Sequence, residues 1–196
     1  MTTTDESRQH GVRDWRGTSL PTPGEFTIDP THSRVGFMAK HLMVTKVRGH
    51  FADVAGSITV TEDPMQSAAQ ATMQAESIST GSPDRDAHLR SGDFLRIEQH
   101  PTVTFRSTAI TGYSAGAFTV QGELTIKGVT REVTLEVEID GVATDPWGGE
   151  RLSLTARGEI DREDFGLTWN VALESGGVLV SKKVVLEIEA QLVRQN

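Results

Sequence analysis

The stretch that decides the fold is residues 117–139, AFTVQGELTIKGVTREVTLEVEI, in which apolar and polar residues alternate on both sides of Lys127-Gly128. The apolar positions are Phe118, Val120, Gly122, Leu124 and Ile126, then Val133, Leu135, Val137 and Ile139. A period of two is typical of antiparallel strands with one buried face, and Lys-Gly suits a tight turn. The segment therefore predicts a β-hairpin whose apolar side chains all lie on one face.

The same period continues over most of the chain. Apolar and polar residues alternate in segments 69–76, 152–160 and 186–192, less regularly in 35–41 and 103–109, and Val47–Val60 indicates a strand bent near Gly49 or Gly56. A long sheet with two open edges pairs readily with other chains, and closure removes those edges. We predict an all-β fold, an antiparallel β-barrel of about eight strands with one short helical insertion. A two-sheet sandwich fits the same periodicity.

Two segments interrupt the alternation. Ser82-Pro83-Asp84 indicates a helix start, with a capping serine and a proline in the first turn, and the helix is predicted to continue toward Phe94. Asp161–Asn170 is irregular and long enough for one helical turn.

Composition limits the classes of function. The 196 residues include 19 Lys plus Arg and 27 Asp plus Glu, a net charge of −8, which argues against nucleic acid and anionic membrane surfaces as general partners. The chain has no cysteine, which excludes disulfides and thiolate metal sites. Its aliphatic runs are too short to span a bilayer, so no stable membrane insertion is expected.

The first 23 residues are mostly polar or small, with Trp15 and Leu20 as the large apolar side chains. We predict a flexible tail over residues 1–23, with one docking contact through Trp15, and a single domain over residues 24–196. The pattern of a secretory signal is absent from the segment, so we expect a cytoplasmic protein.

The predicted inner face is rich in small residues. Ten of its thirty positions are alanine, glycine or serine: Ala39, Ala69, Ala71, Ala75, Ser107, Ala109, Gly122, Ala156, Gly158 and Ala190. An eight-stranded barrel is either filled by its own side chains or holds one small ligand. Two interpretations remain open: a hollow barrel, or one that is flattened or plugged by a helix packed closely against small residues.

Several segments, in order, resemble the YceI-like family. They are FTIDPTHSRVGF at 26–37, HL at 41–42, VRGHF at 47–51, RDAHL at 85–89, DFL at 93–95, HPTVTF at 100–105 and GELTIKGVT at 122–130. The resemblance covers the chain from about Gly24 onward. It implies a lipocalin-like barrel with an elongated apolar tunnel that binds a polyisoprenoid, such as an isoprenoid quinone or a prenyl phosphate. It also implies a homodimer.

The polar candidates have competing interpretations. One interpretation is a metal site formed by His32, His41 and His88, with Asp29 or Asp86 adding a carboxylate. For His32 a turn that bonds nearby backbone is favoured. His41 falls on the inner face, as a core histidine or as a contact for a ligand head group. Arg85 and His88, one helical turn apart, either donate to a phosphate or quinone oxygen or lie on the helix surface. We predict no metal, cofactor or catalytic residue.

The leading hypothesis is non-catalytic transport or storage of a long polyisoprenoid lipid. The alternative is an enzyme acting on an apolar prenylated substrate with His41 or His88 as acid–base. A third possibility is a stress-related module that pairs with itself through an exposed sheet edge or a flat face. The predicted ligand-binding residues are Phe37, Ala39, His41, Phe51, Ala71, Met73, Arg85, His88, Phe94, Phe105, Phe118, Leu124, Leu154, Ala156, Phe165 and Trp169.

Overall fold

The computed structural model describes residues 11–174 and 176–195. Its strands are β1 (Val12–Trp15), β2 (Thr18–Pro21), β3 (Gly24–Ile28), β4 (Arg34–His41), β5 (Thr45–Phe51), β6 (Val54–Val60), β7 (Ala68–Gln74), β8 (Ile78–Ser79), β9 (Thr102–Ser114), β10 (Ala117–Ile126), β11 (Val129–Thr144), β12 (Glu150–Asp161) and β13 (Val180–Arg194). One α-helix, α1 (Pro83–Arg90), lies between β8 and β9. No helix in the described part is long and apolar enough to cross a membrane.

The strands form a closed antiparallel barrel. β3, β6, β7, β9, β10, β11, β12 and β13 are hydrogen-bonded in that order, and β12 pairs with β13, which pairs with β3 and closes the ring. The ring has eight strands, each antiparallel to its neighbours. The predicted all-β barrel with one helical insertion is confirmed, and the sandwich alternative is not the architecture.

Three of the eight strand positions are interrupted. β3 and β4 both pair with the same side of β13, and a 3₁₀ turn at Pro30–His32 separates them. β5 pairs with β4 while β6 pairs with β3, so β5 and β6 form a second broken strand, bent at Ala52-Asp53. β7 and β8 form the third, with a 3₁₀ turn at Ala75–Ser77. The predicted bend in Val47–Val60 is present, between the two glycines.

Beyond the barrel rim, β4 and β5 continue as a hairpin, and their last ladder pair is His41 with Thr45. This end of the barrel, which we call the hairpin end, also carries α1 and the loop after β12. The opposite end carries β1 and β2, and we call it the N-terminal end.

Helix α1 is shorter than predicted, because it ends at Arg90 rather than near Phe94. Ser91 donates its N–H to His88 O in a tight final turn, and Gly92 follows. The buried Asp86 fixes the helix start, since its carboxylate accepts bonds from Thr80 N at 2.8 Å and Thr80 Oγ1 at 2.5 Å. The predicted helical turn in Asp161–Asn170 is a 3₁₀ turn at Arg162–Phe165.

The described part of the predicted flexible tail, residues 11–23, forms the β1–β2 hairpin. Its two-residue turn is Arg16-Gly17, with φ of 53° and 81°. Trp15 packs on the rings of Tyr113 and Phe118, with centroid distances of 4.9 and 5.6 Å. The segment lacks a core of its own, but the N-terminal end of the barrel supplies the apolar surface that orders it. Residues 1–10 lie outside the described residues.

Candidate ligand cavity

A continuous cavity of about 350 Å³ runs through the barrel interior. At the N-terminal end its wall includes Leu20 and Phe118, and at the hairpin end it includes Phe94, Ile126 and Leu167. Strand alternation explains the wall, because every second side chain of β10 and β12 faces inward and is buried. Of the two alternatives, the structure therefore has the hollow barrel. The volume of its cavity is in the range of small-molecule sites.

The wall is almost entirely apolar. The polar or charged side chains on it are Ser33, Ser57, Ser67, Gln70, Ser107 and Arg162. Among the described residues Arg162 is the one charged group on the wall. Such a surface favours an apolar occupant, because removing apolar area from water is the favourable term.

Two glycines behind the wall, Gly122 and Gly49, seat aromatic rings of the wall. A Cβ added at Gly122 would lie 2.4 Å from Phe105 Cε2, and one added at Gly49 would lie 2.3 Å from Phe37 Cζ. Phe105 and Phe37 both line the cavity, so each glycine sets how far a ring protrudes into it. The small-residue content thus shapes the cavity as well as enlarging it.

Most of the predicted ligand-binding residues lie on the cavity wall. These are Phe37, Ala39, Phe51, Ala71, Met73, Phe94, Phe105, Phe118, Leu124, Leu154 and Ala156. Contact of these side chains with a lipid stays a prediction.

Five predicted residues lie off the wall, and three of them are the polar candidates. His41 is exposed, because the β4–β5 hairpin has left the barrel at that point and both of its faces meet water. Arg85 is exposed on α1, and its Nε donates to Thr80 Oγ1 at 2.8 Å. His88 is half-buried, with its Nε2 2.9 Å from Asp93 Oδ2 and its ring against Phe94 and Trp169. The inward position predicted for His41 is therefore wrong. Arg85 and His88 have protein partners off the cavity wall, and their contact with a ligand stays a prediction.

The remaining two are aromatic. Phe165 is 1% exposed and packs in the barrel core beside Ile160 and Leu167, without facing the cavity. Trp169 packs outside the barrel, with its ring centroid 4.5 Å from that of His88 and 5.4 Å from that of Phe94. Trp169 thus supports Phe94, which does line the cavity.

Arg162 is the one charged residue of the described wall, and sequence reasoning missed it. Its guanidinium is buried and bonds only backbone oxygens: Nε donates to Ser181 O at 2.9 Å, Nη2 to Val180 O at 3.4 Å, and Nη1 to Leu167 O. Burial lowers the pKa of Arg162 from its ordinary value, against the opposing effect of Glu163 and Asp161. It is nonetheless a cation at neutral pH. Flanking carboxylates make the segment look like an exposed turn, so no sequence signal marked this residue.

A cluster of ion-paired side chains lies near the N-terminal end of the barrel. Asp29 Oδ2 accepts from Arg151 Nη1 at 2.9 Å, and Asp145 Oδ2 accepts from Arg151 Nε at 2.9 Å. Bonds from Thr31, His32 and Arg151 hold the pKa of Asp29 well below its usual range. The favoured interpretation of His32 as part of a turn is confirmed, and the described residues contain no group of three side chains suited to a metal ion.

A family model described as a YceI-like domain matches residues 26–192. The chain belongs to the YceI-like family. A UPF0312 protein of Staphylococcus aureus (strain N315) is 40% identical over 169 residues, which cover 85% of this chain and 95% of that protein.

Solved structures of similar fold agree with this membership. The YceI protein of Campylobacter jejuni is 28% identical, with a TM-score of 0.69 over 80% of this chain and 90% of that one. A polyisoprenoid binding domain from Saccharophagus degradans has a TM-score of 0.64 at 16% identity, over 87% of this chain and 98% of that one. At that identity the likeness shows the fold alone. The YceI-like barrel of this chain thus combines a shared architecture with the cavity described above.

Proposed function

We propose that this protein binds one long polyisoprenoid lipid, such as an isoprenoid quinone or a prenyl phosphate, in its barrel cavity and transports or stores it without chemical change. The observation that carries the proposal is the continuous apolar cavity, whose wall reaches from Leu20 at one end to Leu167 at the other. An elongated apolar chain is the occupant that such a wall suits best. The family and its polyisoprenoid-binding structural neighbour support a binding protein.

Affinity would come mainly from the apolar wall. Burying about 300 Å² of prenyl surface contributes about 7 kcal/mol at about 25 cal/mol per Å², before the cost of ordering the chain. The polar end of the lipid would lie at the hairpin end, near Arg162. Its guanidinium has five N–H groups, of which three bond backbone oxygens, so two could donate to a phosphate or quinone oxygen.

The enzyme alternative receives less support from the geometry. It needs an acid–base beside the substrate, whereas His41 and His88 both lie off the cavity wall. Self-pairing through a barrel edge also has less support, since the eight-stranded ring is closed. We extend the proposal to a homodimer in the cytoplasm; the homodimer is what the family resemblance implies.

The direct test is organic extraction of protein purified under native conditions, followed by mass spectrometry of the extract. We expect a polyisoprenoid in near-stoichiometric amount. Ala71→Phe fills part of the cavity and should lower the retained lipid severalfold, while Ala55→Phe, at an exposed position on the neighbouring strand β6, should not. An empty interior after purification from several hosts would refute the proposal, as would equal retention by both variants.

A further inference from the structure

In the described part of the chain, four of the five exposed large apolar side chains lie at the hairpin end. The turn joining β4 to β5, Leu42-Met43-Val44, is called the tip here; its side chains are 44%, 49% and 77% exposed. Val171, 45% exposed, lies beside it, because Leu42 N donates to Leu179 O and Leu179 N donates to Val171 O. Clustered apolar exposure of this kind marks a surface that meets a protein or a membrane.

The backbone of the tip is unfavourable for the residues that occupy it. Leu42 and Met43 have φ of 52° and 62°, and Val44 N donates to His41 O, as in a tight hairpin turn. Asparagine and glycine are the residues that ordinarily fill such positions, because large side chains clash with the backbone there. The chain therefore accepts backbone strain in order to hold two large apolar side chains out in water, which points to a function outside the barrel.

The charges around the tip are unbalanced as well. From Pro30 to Ala52 the chain has Arg34, Lys40, Lys46 and Arg48 but no Asp or Glu, although the whole protein carries a net charge of −8. Lys40 and Lys46 face each other directly across the β4–β5 ladder, an unfavourable pair of like charges. Both are exposed, and neither has an ion-pair partner among the described residues.

Nearby charged groups change this picture little. Arg48 is paired with Glu187 on β13, and Lys182 and Lys183 at the start of β13 are paired with Glu163 and Glu159. The adjoining loop adds one exposed carboxylate, Glu174. Lys40 and Lys46 thus remain as the free cations next to the tip in the described part of the chain.

An anionic lipid bilayer satisfies both features at once. Its interface takes up the tip side chains, and its negative surface potential attracts the two lysines. We infer that the tip docks reversibly on anionic membrane surfaces. The tip begins three residues after Ala39, which lines the cavity, so docking places the hairpin end of the cavity against the bilayer. If the proposed function holds, a prenyl chain would enter tail first and leave its polar end beside Arg162.

Vesicle co-sedimentation of the full chain tests the inference. The probes are vesicles of phosphatidylglycerol and phosphatidylcholine in equal parts, and vesicles of phosphatidylcholine alone. Lys40→Gln with Lys46→Gln should lower the partition coefficient on the mixed vesicles about 30-fold, the equivalent of about 1 kcal/mol for each lysine. Added salt should weaken wild-type binding in the same way. Arg131→Gln with Arg157→Gln is the charge control, on exposed positions of the barrel wall, and should have little effect.

Leu42→Asn with Met43→Gly should lower the partition coefficient about tenfold or more, since the apolar contact is lost. The variant keeps a favoured turn sequence, so its thermal midpoint should not fall. Trp147→Ser is the matched control, because Trp147 is 87% exposed in the β11–β12 turn at the opposite end. It should bind like the wild type.

The inference would be overturned by no wild-type binding to anionic vesicles, by unchanged binding after the tip substitutions, or by an equal loss with Trp147→Ser. A change in oligomer mass on tip substitution, with vesicle binding intact, would instead assign the tip to a subunit interface and also overturn it. Extraction of the same samples separates the two proposals. A wild-type protein that binds vesicles but carries no lipid would contradict the proposed function while supporting docking.

Discussion

Replacing Arg162 by methionine would remove the only charged side chain of the described cavity wall and the bonds it donates across the loop after β12. Met has a similar length and no polar group, so the change isolates the hydrogen bonds rather than the volume. Val180 O keeps a second donor, Asn170 Nδ2 at 2.8 Å, but Ser181 O and Leu167 O lose the guanidinium. A buried carbonyl left without its donor costs about 1–3 kcal/mol.

Two such carbonyls give an expected destabilisation of about 4 kcal/mol, partly offset because the variant no longer buries a charge. For a chain of this length, that corresponds to a fall of about 10 °C in the thermal midpoint. Thermal unfolding followed by circular dichroism measures it, with the exposed Arg157→Met as the matched control. A loss below about 1 kcal/mol would refute the view that Arg162 holds the loop over the hairpin end of the cavity.

Two further predictions concern stability. Gly122→Ala should destabilise the fold by about 1–3 kcal/mol, because the new Cβ meets the Phe105 ring. Gly141→Ala, with open space around the new Cβ, should be nearly neutral. Urea unfolding of both variants measures the difference, and equal midpoints would contradict the contact between Gly122 and the Phe105 ring. Asp29→Asn should lower the thermal midpoint at pH 7. Because the folded pKa of Asp29 lies below its unfolded value of about 4, its contribution is present above that pH and is lost as the pH falls further. The difference between variant and wild type should therefore shrink on acidification below about pH 4, with the exposed Glu98→Gln as the control for loss of a surface carboxylate.

The sequence predicted the barrel well where successive side chains of a strand face solvent and core in turn. β10 and β12 show this clearly, since their buried and partly exposed positions follow the apolar pattern. The breaks at Pro30–His32 and Ala75–Ser77 were not predicted as strand interruptions, because short 3₁₀ turns leave little trace in a period of two. Ala109 was expected to face inward, but Ile110 lines the cavity in its place. The reason is that register shifts between β9 and β10 change which residues of β9 face inward.

The candidate site was predictable only where it follows the barrel wall. Eleven of the sixteen predicted residues line the cavity, all of them apolar. Periodicity carries no information about where a strand leaves the barrel, so it wrongly placed His41 inside. Arg162 was missed for the opposite reason, because long-range packing of residues 167–181 buries a side chain whose neighbours in sequence are acidic.

The two ends of the barrel differ in a way that bears on ligand exchange. At the N-terminal end, Leu20 and Trp15 of the β1–β2 hairpin pack on the barrel. Arg194 forms an ion pair with Glu150 and also donates to Thr22 O, just before β3. Opening that end requires breaking apolar packing and partly buried ion pairs together. At the hairpin end, the tip is strained and exposed, and the loop that Arg162 holds is the contact that would have to open. Since local opening occurs where fewest contacts are lost, exchange of an apolar ligand is expected at the hairpin end, the same end that the exposed tip and the two unpaired lysines would turn toward a membrane.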